Sequence, residues 1–250
     1  MKAPPLAATR ILRRRWRAAA RTPIRYTSRP MQKQAWTWTT TRFPQPARLV
    51  RWGHFGVPVL IFPTAGGDFE EIERFQLVAA LASPINVGRI KVYSVDGLAA
   101  RARLAATTNI DERFDSFLYE EVLQRVRSDC QDARIEPTLV GATLGAATAI
   151  STLLRHPDSF RAAIGMSGVY DDTINDIAAL SVSRLEQLKG CSITLGTGGG
   201  DYENPNASKR LADALGAKGI QCRFKYWGPA RDHTWSTWRD QLPGLLGELL

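Results

Sequence analysis

One short stretch of the chain has the residue types and spacing of a catalytic hydroxyl presented on a sharp turn. Residues 137–157 read PTLVGATLGAATAISTLLRHP, an apolar strand pattern followed by small residues and then by a helical pattern. A Gly-x-Ser-x-Gly sequence at such a junction lifts a nucleophilic serine above a sheet. The centre here is Thr143, between Gly141 and Gly145. The sequence therefore raises the question of whether Thr143 acts as a nucleophile or has replaced one.

At a turn of this type the hydroxyl nucleophile is paired with a histidine base, and the chain has 3 histidines. His233 lies in the loop WGPARDHTW, after the last predicted strand and after the nucleophile in chain order. His54 precedes the nucleophile, in a predicted turn, and His156 ends a helix directly before Pro157. We therefore predict His233 as the base and interpret His156 as a helix-capping or surface residue.

The acid that orients the histidine is expected on the loop after the penultimate strand. The segment SITLGTGGGDYENP places Asp201 there, just beyond a glycine-rich turn. Asp171 and Asp172 follow an earlier strand, and Asp232 is the direct sequence neighbour of His233. Adjacent residues rarely face each other well enough to orient an imidazole. Asp201 is therefore predicted to hold the tautomer of His233.

Backbone N–H groups are predicted to bind the negative charge that develops on a reacting carbonyl. The first donor is the N–H of Leu144, because it follows the nucleophile at a helix N-terminus, where the dipole favours negative charge. The second donor is expected in the loop FPTAGGDFEE, residues 62–71. Ala65 and Gly66 are the candidates there, because glycines allow N–H groups to point into a site. A plain tight turn is the alternative interpretation of this loop.

Strand and helix patterns alternate along the whole chain, and this alternation describes the scaffold that brings the distant residues together. Apolar runs such as VPVLIF suit strands that are buried on both faces of a parallel sheet. The runs at 47–53 and 57–63 flank a glycine-containing turn, which predicts an antiparallel hairpin. With no internal repeat and no second core, residues 35–250 are predicted as one α/β domain, a mostly parallel sheet with helices on both faces.

The formal net charge of +9 comes entirely from the N-terminal arm. Nine basic residues precede Met31, whereas the other 24 balance the 24 acidic residues of the chain. Residues 1–34 are therefore interpreted as a disordered basic arm or as an over-long start, with Met31 the true beginning. A transit peptide and a tail that contacts nucleic acid or anionic lipid remain alternatives. The neutral body argues against a nucleic-acid-binding domain.

Cysteine spacing and glycine motifs point to no metal and no cofactor. Cys130, Cys191 and Cys222 have neither metal-ligand nor C-x-x-C spacing, so they are interpreted as reduced thiols of a cytoplasmic protein. The segment GTGGGD at 196–201 lacks the Lys-Ser/Thr ending of a phosphate loop and the spacing of a dinucleotide site. No apolar run is long enough to span a bilayer. Whether the chain forms a homo-oligomer stays open.

Several blocks carry a resemblance to a known family. In chain order they are GHFGVPVLIFPTAGGDFEE, GRIKVYSVDG, YEEVL, GATLGA, RHPDSFRAAIGMSGVYD and DHTWSTWRDQLP. From about residue 36 to its end, the chain resembles an esterase family of the α/β hydrolases, related to enterochelin esterases and mycolyltransferases. The resemblance implies an α/β-hydrolase fold, a small-molecule ester as substrate and a triad at Thr143, Asp201 and His233. The family has serine at the first of these positions.

Threonine at the turn leaves two hypotheses open. A β-branched residue fits poorly at positive φ, at a cost of about 1–3 kcal/mol, and its methyl group restricts the direction of the hydroxyl. In the first hypothesis the protein is an ester hydrolase that is slowed or narrowed by Thr143. In the second it is a non-catalytic relative that binds a ligand or a partner. The retained acid and base favour the enzyme.

Overall fold

The computed structural model describes residues 31–97 and 112–250 of the chain. The basic arm predicted at residues 1–34 therefore lies almost entirely outside the described residues. Within the described residues the first strand begins at Lys33, slightly before the predicted domain boundary at residue 35.

Within the described residues, the strands form a single eight-stranded sheet in the order β1-β2-β4-β3-β5-β6-β7-β8. The strands are β1 (Lys33–Trp38), β2 (Ala47–Trp52), β3 (Val57–Phe62), β4 (Ile90–Val95), β5 (Thr138–Ala142), β6 (Ala162–Met166), β7 (Ser192–Thr197) and β8 (Cys222–Tyr226). β2 pairs antiparallel with both β1 and β4, and all the other pairs are parallel. This arrangement confirms the predicted mostly parallel sheet.

The hairpin predicted for residues 47–53 and 57–63 is wrong. β4 lies between β2 and β3, antiparallel to the first and parallel to the second. The connection from β2 to β3 passes so close to β4 that a Cβ on Gly56 would lie 2.3 Å from the carbonyl carbon of Arg89. A strand pattern shows which residues form a strand but not which strand is its neighbour, so the short turn was misleading.

Helices cover both faces of the sheet, as predicted. They are α1 (Glu71–Arg74), α2 (Leu77–Ala80), α3 (Ala82–Asn86), α4 (Glu112–Phe117), α5 (Leu123–Cys130), α6 (Leu144–Arg155), α7 (Asp171–Ala178), α8 (Val182–Leu188), α9 (Pro205–Ala217) and α10 (Trp235–Leu249). A π-helical turn, Leu118–Val122, joins α4 to α5. α10 continues through Pro243, although a proline within a helix removes one backbone hydrogen bond. Among the described residues, none of the helices is long and apolar enough to cross a bilayer.

The sheet separates two apolar cores. In β3, Leu60 packs into one core and its neighbours Val59 and Ile61 pack into the other. The core with Leu60 includes Ile150 of α6, and the opposite core includes Trp238 of α10. The carboxyl ends of β3, β5, β6 and β7 meet at one edge of the sheet, where open parallel α/β sheets hold their ligands.

Candidate active site

Thr143 occupies the sharp turn between β5 and α6. Its backbone has φ 50° and ψ −118°, a region that residues with a side chain rarely adopt. Its N–H donates to the carbonyl of Met166 at 3.0 Å, which ties the turn to the end of β6. The backbone conformation is therefore the strained one that the sequence predicts for a nucleophile elbow, and a β-branched residue adopts it here.

The two glycines that flank the turn allow a very close approach of backbones. A Cβ on Gly141 would lie 2.0 Å from the carbonyl oxygen of Gly145. A Cβ on Gly145 would lie 2.7 Å from the carbonyl oxygens of both Phe62 and Pro63, at the end of β3. Both glycines of the motif are therefore required by packing, and the start of α6 lies directly against the loop that follows β3.

The N-terminus of α6 points its free backbone donors toward this edge. Leu144 is the first residue of the helix, and the first N–H groups of a helix have no partner within it. The hydroxyl of Thr143 does not cap the helix. Both residues are half-buried, so they remain open to a ligand. This placement fits the predicted role of the Leu144 N–H as an oxyanion donor.

Ala65 and Gly66 form the tip of a turn after β3. The N–H of Gly67 donates to the carbonyl of Thr64 at 3.1 Å, and Gly66 has φ +75°. Both tip residues are exposed. Because the residues before this turn contact Gly145, the structure places the predicted second oxyanion donor and the start of α6 at the same edge of the sheet.

His233 lies in the loop between β8 and α10, as the sequence predicts. Its ring meets the ring of Trp238 edge-on, with 5.2 Å between the centroids. Its side chain is 23% exposed. The imidazole is thus held by packing on α10 while part of it stays accessible.

The carboxylate that faces His233 is Glu203. Its Oε2 lies 3.8 Å from Nδ1 of His233, within ion-pair range, and the side chain is completely buried. Oε1 accepts a hydrogen bond from the hydroxyl of Ser167 at 2.5 Å, and Oε2 accepts one from the hydroxyl of Thr197 at 2.9 Å. Burial opposes ionisation, but the interactions with His233, Ser167 and Thr197 outweigh it and hold the pKa of Glu203 below its usual range.

Asp201 does not occupy the position predicted for it, and the prediction is corrected. Asp201 is exposed. It connects to His233 through its backbone carbonyl, which accepts from the His233 N–H at 3.0 Å, while its own N–H donates to Asp232. Asp201 therefore shapes the loop, and the longer side chain of Glu203 reaches the buried edge. Glu203 also carries a signal in the sequence, since it follows the same strand on the same loop and this type of triad accepts Asp or Glu.

Ser167 and Trp238 extend the network beyond the predicted residues. Nε1 of Trp238 donates to the Ser167 hydroxyl at 3.1 Å, and that hydroxyl donates to Glu203. Ser167 is buried and has φ 47°. Trp238, a buried residue of α10, thus contacts both His233 and the residue that binds Glu203. Nothing in the sequence spacing points to Ser167.

No group of three His, Cys, Asp or Glu side chains within residues 31–97 and 112–250 has an arrangement that could hold a metal ion.

The fold and the turn at Thr143 define an α/β hydrolase, and solved structures share this fold. A ferulic acid esterase matches with a TM-score of 0.72 and 14% identity, over 86% of this chain and 96% of that one. S-formylglutathione hydrolase from Staphylococcus aureus matches with a TM-score of 0.67 and 13% identity, over 88% and 99%. Enterochelin esterase from Shigella flexneri matches with a TM-score of 0.68 and 15% identity, over 87% of this chain and 57% of that one.

The chain belongs to the Putative esterase family, whose family model matches residues 70–249. This membership confirms the resemblance found in the sequence and supports the prediction of an enzyme of the carboxyl-ester hydrolase class. No curated protein matches the sequence.

Proposed function

We propose that the protein hydrolyses a carboxyl ester with Thr143 as nucleophile, His233 as general base and Glu203 as the residue that orients the histidine. The Thr143 hydroxyl oxygen attacks the ester carbonyl, and its proton passes to Nε2 of His233. The N–H of Leu144 and an N–H of Ala65 or Gly66 bind the oxyanion. The proton then moves to the leaving alcohol, and water releases the acid from the acyl-threonine by the reverse sequence of transfers.

The observation that carries this proposal is the backbone of Thr143, with φ 50° and ψ −118°. Strain of this kind costs about 1–3 kcal/mol and persists only where the surrounding structure imposes it. A chain that had lost its chemistry would gain stability by relaxing the turn. Here the elbow is retained, together with a fully buried carboxylate beside an accessible histidine.

The substrate is proposed only as a class. The three solved neighbours are named for ferulic acid, S-formylglutathione and enterochelin, which differ in size and chemistry. The shared element is the reacting carbonyl, so we propose a small ester and no particular acyl group or alcohol.

One observation favours a second candidate, a non-catalytic module that binds a ligand or partner at this edge. The threonine methyl group restricts the hydroxyl, and a displacement of about 1 Å in a reacting group can lower a rate about a hundredfold. Binding without turnover would follow if the hydroxyl could not reach the imidazole.

Hydrolysis of p-nitrophenyl acetate and butyrate by a set of variants separates the two candidates. Thr143→Val keeps the β-branched shape without the hydroxyl, so it is the matched control for Thr143→Ser. The enzyme proposal predicts turnover by the wild type, a loss of about a hundredfold or more in Thr143→Val and in His233→Ala, and a gain in Thr143→Ser. Equal rates in wild type and Thr143→Val would refute it. An inactive wild type with an active Thr143→Ser would support the binding module.

A further inference from the structure

A buried carboxylate lies outside the proposed triad, at the start of α1. Glu71 is only 6% exposed. Its Oε2 accepts a hydrogen bond from the backbone N–H of Thr64 at 2.7 Å, and its Oε1 accepts one from the Thr64 hydroxyl at 2.6 Å. Both carboxylate oxygens therefore bind a single residue of the loop after β3. Hydrogen bonds to an ionised acceptor are about twice as strong as neutral ones.

Thr64 is the first residue of the turn that carries Ala65 and Gly66. The last residue of the turn, Gly67, packs directly on the same carboxylate, since a Cβ there would lie 2.3 Å from Oε2 of Glu71. A Cβ on Gly97, beyond β4, would in turn lie 2.2 Å from the carbonyl oxygen of Gly67. Glu71 thus contacts both ends of the turn, while the two tip residues stay exposed.

We propose that Glu71 is a positioning residue, which fixes the turn so that an N–H of Ala65 or Gly66 meets the developing oxyanion. This inference rests on the proposed function. An oxyanion donor acts only when it is already aligned with the charge, and removing one such donor costs about a hundredfold to a thousandfold in kcat. Without the hydrogen bonds to Glu71, the turn keeps the N–H groups of Ala65 and Gly66 but no longer holds them in one position.

The neighbouring carboxylate of the same helix provides a matched control. Glu73 binds Lys33 at 2.5 Å and accepts from Nε1 of Trp52 at 3.0 Å, so it ties α1 to β1 and β2 and does not contact the turn. Glu73 is 41% exposed, so its replacement removes a carboxylate from α1 without removing a contact of the turn. Arg74 of the same helix also reaches the loop, at Asp68, but among the described side chains of α1 it is Glu71 that hydrogen-bonds the turn carrying Ala65 and Gly66.

Glutamine and alanine at position 71 separate geometry from charge. In Glu71→Gln the amide oxygen accepts from the Thr64 N–H, and the amide NH2 donates to the Thr64 hydroxyl, which also accepts hydrogen bonds. Both contacts survive, so we expect kcat within about threefold of the wild type. Glu71→Ala removes both contacts, so we expect kcat to fall about 10- to 100-fold with KM within about twofold. A loss in kcat alone marks an interaction made in the transition state.

The experiment measures kcat and KM for p-nitrophenyl butyrate in the wild type, Glu71→Ala, Glu71→Gln and Glu73→Ala, with thermal unfolding of each. A loss confined to Glu71→Ala and rescued in Glu71→Gln supports the inference. A folded Glu71→Ala with wild-type kcat, a loss that appears in KM, or an equal loss in Glu73→Ala overturns it.

If Glu71→Ala does not fold, milder variants at Thr64 test whether Glu71 positions the turn. Thr64→Val removes one hydrogen bond and Thr64→Ser retains it, so a kcat that falls in the first and recovers in the second supports the inference, whereas equal kcat values in both overturn it. Failure of the proposed function is distinct, because the wild type would then lack turnover. If Thr143→Ser is active, the same position-71 and position-73 variants are compared in that background and the same outcomes decide the inference; if Thr143→Ser also lacks turnover, both proposals fall.

Discussion

Replacing Gly145 by alanine tests whether the close contact between α6 and the end of β3 aligns the site. A Cβ at this position would lie 2.7 Å from the carbonyl oxygens of Phe62 and Pro63. Ordinary van der Waals contact begins at 3.4 Å, so the start of α6 and the loop after β3 must separate by about 0.7 Å. Both obstructing atoms belong to the backbone, which cannot rotate out of the way.

This separation moves the two proposed oxyanion donors apart, since Leu144 begins α6 and Ala65 follows β3. A displacement of about 1 Å costs about a hundredfold in rate, so a shift of about 0.7 Å is expected to lower kcat about 10- to 100-fold. Overpacking of a close contact destabilises a fold by about 1–3 kcal/mol. We therefore expect Gly145→Ala to fold, to melt at a lower temperature and to turn over poorly.

The assay is hydrolysis of p-nitrophenyl butyrate, in the wild-type or the Thr143→Ser background, alongside thermal unfolding. Gly244→Ala in α10 is the control, because a Cβ there meets nothing within 4 Å. Alanine is a better helix former than glycine by about 1 kcal/mol, so the control should be slightly stabilised with unchanged kcat. An unchanged kcat in a folded Gly145→Ala would show that the contact between α6 and the end of β3 does not align the two donors.

Three further predictions follow from the buried networks. Ser167→Ala removes the hydroxyl that donates to Glu203. We expect kcat in the ester assay to fall about tenfold and the free energy of unfolding to fall by about 1–3 kcal/mol. An unchanged kcat would contradict this. Because the pKa of Glu203 lies below the usual 4.5, its ionised form stabilises the fold at and above that pH, and this contribution disappears as the pH falls through the lowered pKa. Unfolding temperatures measured down to pH 3 should therefore fall less steeply in Glu203→Gln than in the wild type. Asp129→Asn leaves the buried Lys91 without its carboxylate partner at 2.7 Å. Chemical denaturation should show a free energy of unfolding lower by about 3 kcal/mol, with kcat unchanged. A free energy of unfolding within about 0.5 kcal/mol of the wild type would refute this.

Local sequence patterns are sufficient to predict the turn at Thr143 and the loop that carries His233. The turn depends on residues within a few positions of one another, and small residues at Gly141 and Gly145 are what its close contacts demand. His233 follows the last strand in chain order, and chain order alone predicts its loop. The mostly parallel sheet follows equally from the alternation of strand and helix patterns.

Two predictions from the sequence differ from the structure, the triad acid and the hairpin at residues 47–63, because three-dimensional packing decides both. Asp201 and Glu203 lie on one loop, and the sequence does not show which carboxylate turns inward. In the structure the side chain of Glu203 is buried, whereas Asp201 is exposed. Likewise, the order of strands in the sheet depends on contacts between distant segments. Residues 47–63 alone therefore do not indicate that β4 lies between β2 and β3.

Covalent labelling by an alkyl fluorophosphonate shows whether the Thr143 hydroxyl is a nucleophile. The reagent forms a bond between phosphorus and a nucleophilic oxygen and releases fluoride, while the proton of the hydroxyl passes to the base. We expect one adduct by intact mass, mapped to the peptide at Thr143 and absent in both Thr143→Val and His233→Ala. No adduct on the folded wild type, or an adduct that persists in Thr143→Val, would contradict it.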